Sequence, residues 1–167
     1  MPDAVVAPLR RTRAWVSVAF ALQGLLLALV LTNLPGLKDR TGIGDSEVSA
    51  VVLTVLVFAA AGSLLAGWVA PRRGSATVLV PAFALQAAGL LLLWNSLPFA
   101  ALFPVFAVFG LGVGFGDAGI GMQGLTVQRA YGRSIINTFF AFQTAAAIAG
   151  ALLVAGIRAL EWRFELG

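Results

Sequence analysis

The sequence contains no cysteine and no histidine among its 167 residues. Without cysteine, the chain can form neither a disulfide nor a thiolate metal site. Without histidine, it lacks the side chain that most often acts as a general base and most often binds metals. No nucleophile with an activating base can be recognised in what remains. We therefore expect a protein that is not an enzyme and binds no metal.

Charged residues are also scarce. They make up 11% of the chain, whereas soluble domains contain about 25%. Hydrophobic residues make up 60%, and the mean hydropathy is +0.96. Such a chain stays dispersed only in an apolar solvent, which predicts a protein of the lipid bilayer. The net charge of +4 does not indicate nucleic acid as a partner, because the basic residues are scattered between apolar runs.

Five apolar runs reach the length of about 17 to 25 residues that a helix needs to cross a bilayer. They cover residues 14–34, 48–70, 76–94, 99–120 and 135–157. Because a helix satisfies its backbone groups in lipid, the predicted fold class is all-α, a polytopic membrane protein with a five-helix transmembrane bundle at 14–157. Residues 1–13 then form a cytoplasmic N-terminal segment and 158–167 a polar tail. The first run is too long for a signal-peptide core and lacks a clear cleavage site before Pro35.

The basic residues predict the orientation of the bundle, since cytoplasmic segments carry an excess of lysine and arginine. A cytoplasmic N-terminus places seven of the eleven basic residues inside (Arg10, Arg11, Arg13, Arg72, Arg73, Arg129, Arg133) and four outside (Lys38, Arg40, Arg158, Arg163). All four tryptophans fall near predicted span ends, where an indole ring prefers to lie: Trp15, Trp68, Trp94 and Trp162. We therefore expect an integral protein of a bacterial inner (plasma) membrane with its N-terminus in the cytoplasm.

The loop between the second and third runs carries three residues of a known signature, Gly-x-x-x-Asp-Arg-x-Gly-Arg-Arg. Gly67, Arg72 and Gly74 match it, whereas Pro71 replaces the aspartate and Ser75-Ala76 the final basic pair. Further similarities are the proline and glycine after the first run and the Gly-Arg before the fifth (Pro35, Gly36, Gly132, Arg133). With these residues the chain resembles the N-terminal half of a major facilitator superfamily (MFS) transporter. A simpler interpretation of Arg72 and Arg73 is that they anchor the loop on the cytoplasmic side.

The resemblance implies a secondary active transporter, a permease that moves a small solute by alternating access. Members of this superfamily typically have twelve spans in two halves, so it also implies truncation before a sixth span. Expected partners are lipid, a small-molecule substrate with or without protons, and either a missing C-terminal half or a second half-sized copy. The alternative is a small non-transporting membrane protein that acts as an assembly or regulatory subunit.

The fourth run contains the glycine-rich stretch GVGFGDAGIGMQGL, residues 112–125. Its GFGDAG segment fits the G-x-G-x-x-G pattern of dinucleotide-binding folds, but that pattern requires a preceding strand and a following helix. Here the glycines lie late in an apolar run, so we expect no nucleotide cofactor. Small residues spaced four positions apart let helix backbones pack closely in lipid. Gly110 and Gly114 have this spacing, and so do Gly112 and Gly116. These four glycines are predicted to pack helices together.

Asp117 stands within this stretch. A charge near the centre of a bilayer costs about 2.5 to 3.5 kcal/mol, so the carboxylate is expected to face protein or water. The helical positions around it are glycines, and its distance from Phe99 places it nearer the cytoplasmic end than the midplane. Three interpretations stay open: an ion pair with Arg72 or Arg73 that latches the cytoplasmic side, a group that binds protons or substrate, and a carboxylate solvated at the interface.

Other polar residues in the runs complete the candidate site. The substrate or proton-coupling candidates are Asp117, Gln23, Asn33, Gln123, Asn137 and Thr144. Asn137, Ala141 and Thr144 form a stripe at helical spacing on the fifth run. Gln86 and Gln143 are weaker candidates. Each of these residues could instead serve as a hydrogen bond between helices.

Overall fold

A computed structural model of the protein describes residues 3–93 and 97–165, with side chains for residues 9–93 and 97–160. It contains five α-helices: α1 (Asp3–Thr41), α2 (Asp45–Arg73), α3 (Ala76–Leu93), α4 (Phe99–Tyr131) and α5 (Ile136–Glu165). All five are long and apolar enough to cross a membrane. The predicted all-α, five-helix membrane architecture is therefore confirmed. Where the bilayer surfaces cut these helices stays a prediction.

The first two helices extend well into the predicted loop between them. The helix α1 continues through Pro35 to Thr41, and only residues 42–44 separate it from α2. Gly42 ends α1 with a positive φ of 68° and donates its amide to Lys38 O, an arrangement that glycine accepts without strain. The Lys38 ammonium pairs with the Asp45 carboxylate at the start of α2. This ion pair ties the two helix ends together.

The fourth helix also continues beyond its apolar run. Residues 123–131 stay helical because Val127 is buried with Ile120 and Phe139 in one core cluster. The helix ends at Gly132, whose φ of +66° again needs a glycine. Gln128 Oε1 then accepts hydrogen bonds at 3.1 and 3.0 Å from two backbone amides at the start of α5. The α4–α5 connection is thus a compact capped turn.

The helix α4 lies at the centre of the bundle, and its glycines permit this. A methyl group added to Gly110 would lie 2.6 Å from Val55 O, and one added to Gly114 would overlap Ala59 O, both on α2. One added to Gly112 would lie 2.8 Å from Ala82 O on α3. In lipid, where apolar attraction gives little drive for association, such close backbone contacts hold helices together.

The remaining glycine of the predicted set contacts a third helix. A methyl group on Gly116 would lie 2.6 Å from Gln23 Oε1 on α1. Gly112 and Gly116 therefore do not share one partner helix, although their spacing places them on similar faces. The helix α5 packs chiefly on α1, where Phe139 stacks on Phe20 with ring centroids 5.4 Å apart.

Two of the four tryptophans can be placed. Trp15 on α1 and Trp68 on α2 are 64% and 61% exposed on the outside of the bundle, where an indole can reach the membrane interface. Trp94 and the side chain of Trp162 lie outside the described residues.

Candidate functional site

Asp117 lies near the middle of the bundle, on the part of α4 that faces α1. Gln23 Nε2 donates hydrogen bonds to Asp117 Oδ1 at 3.0 Å and to Val113 O at 3.3 Å. Gln23 is at the centre of the first apolar run, so the carboxylate is level with the middle of α1. Along α4, Asp117 lies 18 residues from Phe99 and 14 from Tyr131, because the helix continues beyond Ile120; its position nearer the cytoplasmic end of the membrane stays a prediction.

Gln23 is itself held by a glutamine from α3. Gln86 Nε2 donates to Gln23 Oε1 at 3.0 Å and to Gly112 O at 3.2 Å. Both glutamines are 0% exposed. Because the carboxamide oxygen of Gln23 accepts the hydrogen bond from Gln86, the Nε2 group of Gln23 is directed at Asp117. A chain of hydrogen bonds therefore runs from α3 through α1 to the carboxylate on α4.

The other side of Asp117 is open. The residue is exposed and lines a cavity of about 270 Å³ between α1, α4 and α5, together with Phe20, Ile120, Gly121, Phe140 and Gln143. Gln143 thus shares the cavity with Asp117, although its sequence position marked it only as a weaker candidate. The cavity joins one carboxylate, one carboxamide and two aromatic rings.

The glycines on either side of Asp117 differ in what they contact. The helix α2 meets α4 at Gly110 and Gly114 and then follows the side of α4 that carries Phe115, Ala118 and Met122. The face with Asp117 and Gly121 is left uncovered, and a methyl group on Gly121 would meet nothing within 4 Å. The glycine contacts with the α2 backbone end at Gly114, about one turn before the carboxylate.

The predicted ion pair of Asp117 with Arg72 or Arg73 is not formed. In the part of the chain with described side chains, the single ion pair is that of Lys38 with Asp45. The helices α2 and α4 run parallel with Ala59 beside Gly114. Arg72 is 13 residues beyond Ala59 and Asp117 only three beyond Gly114, so about 15 Å of helix separates their levels.

The three signature residues of the α2–α3 loop do not act together, and each has its own local surroundings. Arg72 donates to Trp68 O at 2.6 Å and lies over its indole ring at 4.3 Å. Gly74 ends α2 with a φ of +88° and donates to Ala70 O at 2.9 Å, which explains a glycine there. Gly67 is exposed, and an added methyl group would meet nothing within 4 Å, so this structure shows no close approach at Gly67.

The remaining candidates lie away from the cavity. Gln123 donates to Ser75 Oγ at 2.8 Å and so joins α4 to the α2–α3 loop. Asn33 is exposed on α1, ten residues beyond Gln23, and accepts a hydrogen bond from Arg158 at 3.3 Å. Asn137 and Thr144 are exposed on α5. The structure brings together Asp117 and Gln23 from the predicted set and adds Gln86 and Gln143.

The sequence marked Gln86 only as a weaker candidate. One signal was present in the sequence: an uncharged polar residue in the middle of an apolar helix needs a hydrogen-bond partner. Gln23, Gln86 and Gln143 each satisfy this description. Which of them contact the carboxylate depends on helix packing.

Comparison with known proteins identifies a distant relative. The chain is 27% identical over 145 residues to an uncharacterized MFS-type transporter from Yersinia pestis. The match covers 87% of this chain and 37% of that protein, so the chain spans little more than a third of the relative's length. No protein-family model matches the chain, and no solved structure matches it significantly. The predicted resemblance to the major facilitator superfamily is thus confirmed as distant homology to one of its transporters.

Proposed function

We propose that this chain is the N-terminal part of a secondary active transporter that moves a small solute by alternating access. The distant MFS-type relative supports the transporter class. The observation that carries the proposal is the uncovered carboxylate of Asp117, halfway along the bundle on a face shared by α1, α4 and α5. Intramembrane acids of this kind mark substrate or proton pathways.

In this proposal the open face of the cavity is the surface that the other half of the transporter covers. Transporters of this type bind substrate near the midplane, between two bundles that rock against each other. Asp117 would bind the substrate or a coupling proton there. Gln23, held by Gln86, would orient the carboxylate. The covering half is either a C-terminal half or a second copy of this chain.

The proposed setting is a bacterial inner membrane with the N-terminus in the cytoplasm. Support comes from the bacterial relative and from the bias of seven basic residues against four. A reporter enzyme fused after Gly167 should then be active only outside the cytoplasm. Cytoplasmic activity of that fusion would contradict this orientation.

Transport is tested with proteoliposomes that contain the chain, alone and together with the remaining part of the Yersinia pestis relative. They are incubated with a bacterial metabolite extract under a pH gradient, and the accumulated solutes are identified by mass spectrometry. We expect at least one solute to accumulate with the native chain and not with Asp117→Asn. Asp39→Asn is the control, because Asp39 is exposed near the end of α1, far from the cavity.

Two results would contradict the proposal. If no solute accumulates in either preparation, the chain does not transport, and the alternative of an assembly or regulatory subunit is favoured. If uptake and its pH dependence are unchanged in Asp117→Asn, the protein transports but Asp117 has neither proposed role.

A further inference from the structure

The cavity beside Asp117 has an unbalanced charge. Its lining contains one carboxylate and no basic side chain. Arg129 is 12 residues along α4 from Asp117, about 18 Å of helix. Arg13 is ten residues along α1 from Gln23, about 15 Å, and lies over the Tyr131 ring at 5.6 Å. Among the residues with described side chains, no cation lies beside the carboxylate, so the cavity favours a ligand with a positive charge.

The carboxylate is also fixed in place with one oxygen available. Gln23 holds Oδ1 at 3.0 Å, and Gln86 holds Gln23. Among the residues with described side chains, no donor reaches Oδ2. A ligand that approaches from the cavity therefore meets an oriented acceptor, so little ordering of the site is needed on binding.

The other walls of the cavity suit an organic cation. Phe20 and Phe140 both line it and meet edge to face, with ring centroids 5.3 Å apart. Aromatic rings attract ammonium groups within about 6 Å of the ring centroid. Gln143 adds a carboxamide beside the carboxylate. Rings and one acid together favour a cation with an apolar surface.

A metal ion fits less well. No group of three or more histidine, cysteine, aspartate or glutamate side chains occurs within the described ranges, whereas hard cations such as Ca²⁺ take about six to eight oxygen ligands. The volume of about 270 Å³ is near the lower end of ligand pockets, which begin at about 300 Å³. The part of the site that this chain provides is thus large enough for a small organic molecule.

From these observations we propose that the substrate of this site is a small organic cation, such as an amine or quaternary ammonium compound. It pairs with Asp117 and packs against Phe20 and Phe140. This inference rests on the proposed transport function, since it names the substrate class of the same cavity.

Binding is tested separately from transport, with the purified 167-residue chain in lipid nanodiscs and radiolabelled choline as the probe. We expect saturable binding that unlabelled choline displaces. Dimethylbutanol, the uncharged carbon analogue of choline, and sodium chloride at equal ionic strength should not displace it. Equal displacement by the uncharged analogue or by sodium chloride would overturn the inference.

The variants locate the binding. Asp117→Asn should weaken choline binding about 10- to 100-fold, the effect of losing a hydrogen bond or contact to a charged group. Phe140→Leu should weaken it about two- to fivefold, since a cation–π contact at an exposed site is modest. Asp39→Asn should leave it unchanged. Circular dichroism verifies that each variant is folded.

The outcomes separate this inference from the proposed function. If the proteoliposomes accumulate only neutral or anionic solutes and choline does not bind, the transport proposal stands and the cation inference is wrong. If choline binds through Asp117 but nothing is transported, the site binds cations and the transport proposal is wrong. Binding that survives Asp117→Asn contradicts the assignment of this cavity.

Discussion

The contact between α2 and α4 gives the most quantitative prediction about the fold. Gly114→Ala places a methyl group against Ala59 O and 2.7 Å from Ser63 N. Both of these atoms belong to the backbone, so no side chain can move aside and the two helices must separate. Overpacking of this kind costs about 1 to 3 kcal/mol.

Gly121→Ala is the matched control, seven residues further along the same helix. Its methyl group meets nothing within 4 Å. Both substitutions replace a mid-helix glycine by alanine, so any gain from the helix preference of alanine, up to about 1 kcal/mol, is common to both. The difference between the two variants isolates the packing cost.

The assay is unfolding of the purified chain in mixed micelles with increasing sodium dodecyl sulfate, followed by circular dichroism. We expect Gly114→Ala to have a free energy of unfolding about 1 to 3 kcal/mol below that of Gly121→Ala. If the two variants unfold at the same detergent fraction, α4 does not pack on α2 through Gly114.

Three further predictions concern the connections and the buried hydrogen bonds, and the same unfolding assay checks them. Gln128→Leu removes the acceptor of two amides at the start of α5 and should cost about 1 kcal/mol, the value of a helix cap; no loss would mean that these amides find another acceptor. Gly74→Ala should cost about 1 to 3 kcal/mol, because an alanine is strained at a φ of +88°, whereas Gly67→Ala, inside α2, should gain up to about 1 kcal/mol from the helix preference of alanine; similar losses in both would contradict the assigned turn. Gln86→Leu should cost about 0.6 kcal/mol, the average for a hydrogen bond between membrane helices. If the double variant Gln86→Leu/Gln23→Leu loses no more stability than Gln86→Leu alone, the two glutamines act as one unit.

The sequence was sufficient for the helices but not for their ends. Apolar length predicts five spans because lipid leaves the backbone few alternatives to a helix. It cannot show that α4 continues to Tyr131, since residues beyond 120 are more polar and are held by Val127 packing under α5. The added turns place Asp117 near the middle of α4 rather than near its end.

The candidate site was predictable in its residue types and not in its contacts. An acidic residue within an apolar run indicates a functional site, because a charged side chain in the membrane is energetically costly. Whether it meets arginine, glutamine or an open cavity depends on how the helices pack, because the packing decides which side of Asp117 is covered. Gln86 shows the same limit, since its contact with Gln23 joins residues 63 positions apart.

The central claim is that Asp117 faces a water-accessible cavity in the middle of the membrane, and cysteine accessibility tests it directly. The chain contains no cysteine, so Asp117→Cys provides a single thiol. Val80→Cys is the control: Val80 is 75% exposed on α3, and its neighbour Leu79 contacts Gly119, so it lies close to the level of Asp117 on the outside of the bundle. In membranes, a charged thiosulfonate reagent should label Asp117→Cys and not Val80→Cys. Equal labelling of the two variants, or none at Asp117→Cys, would contradict the account.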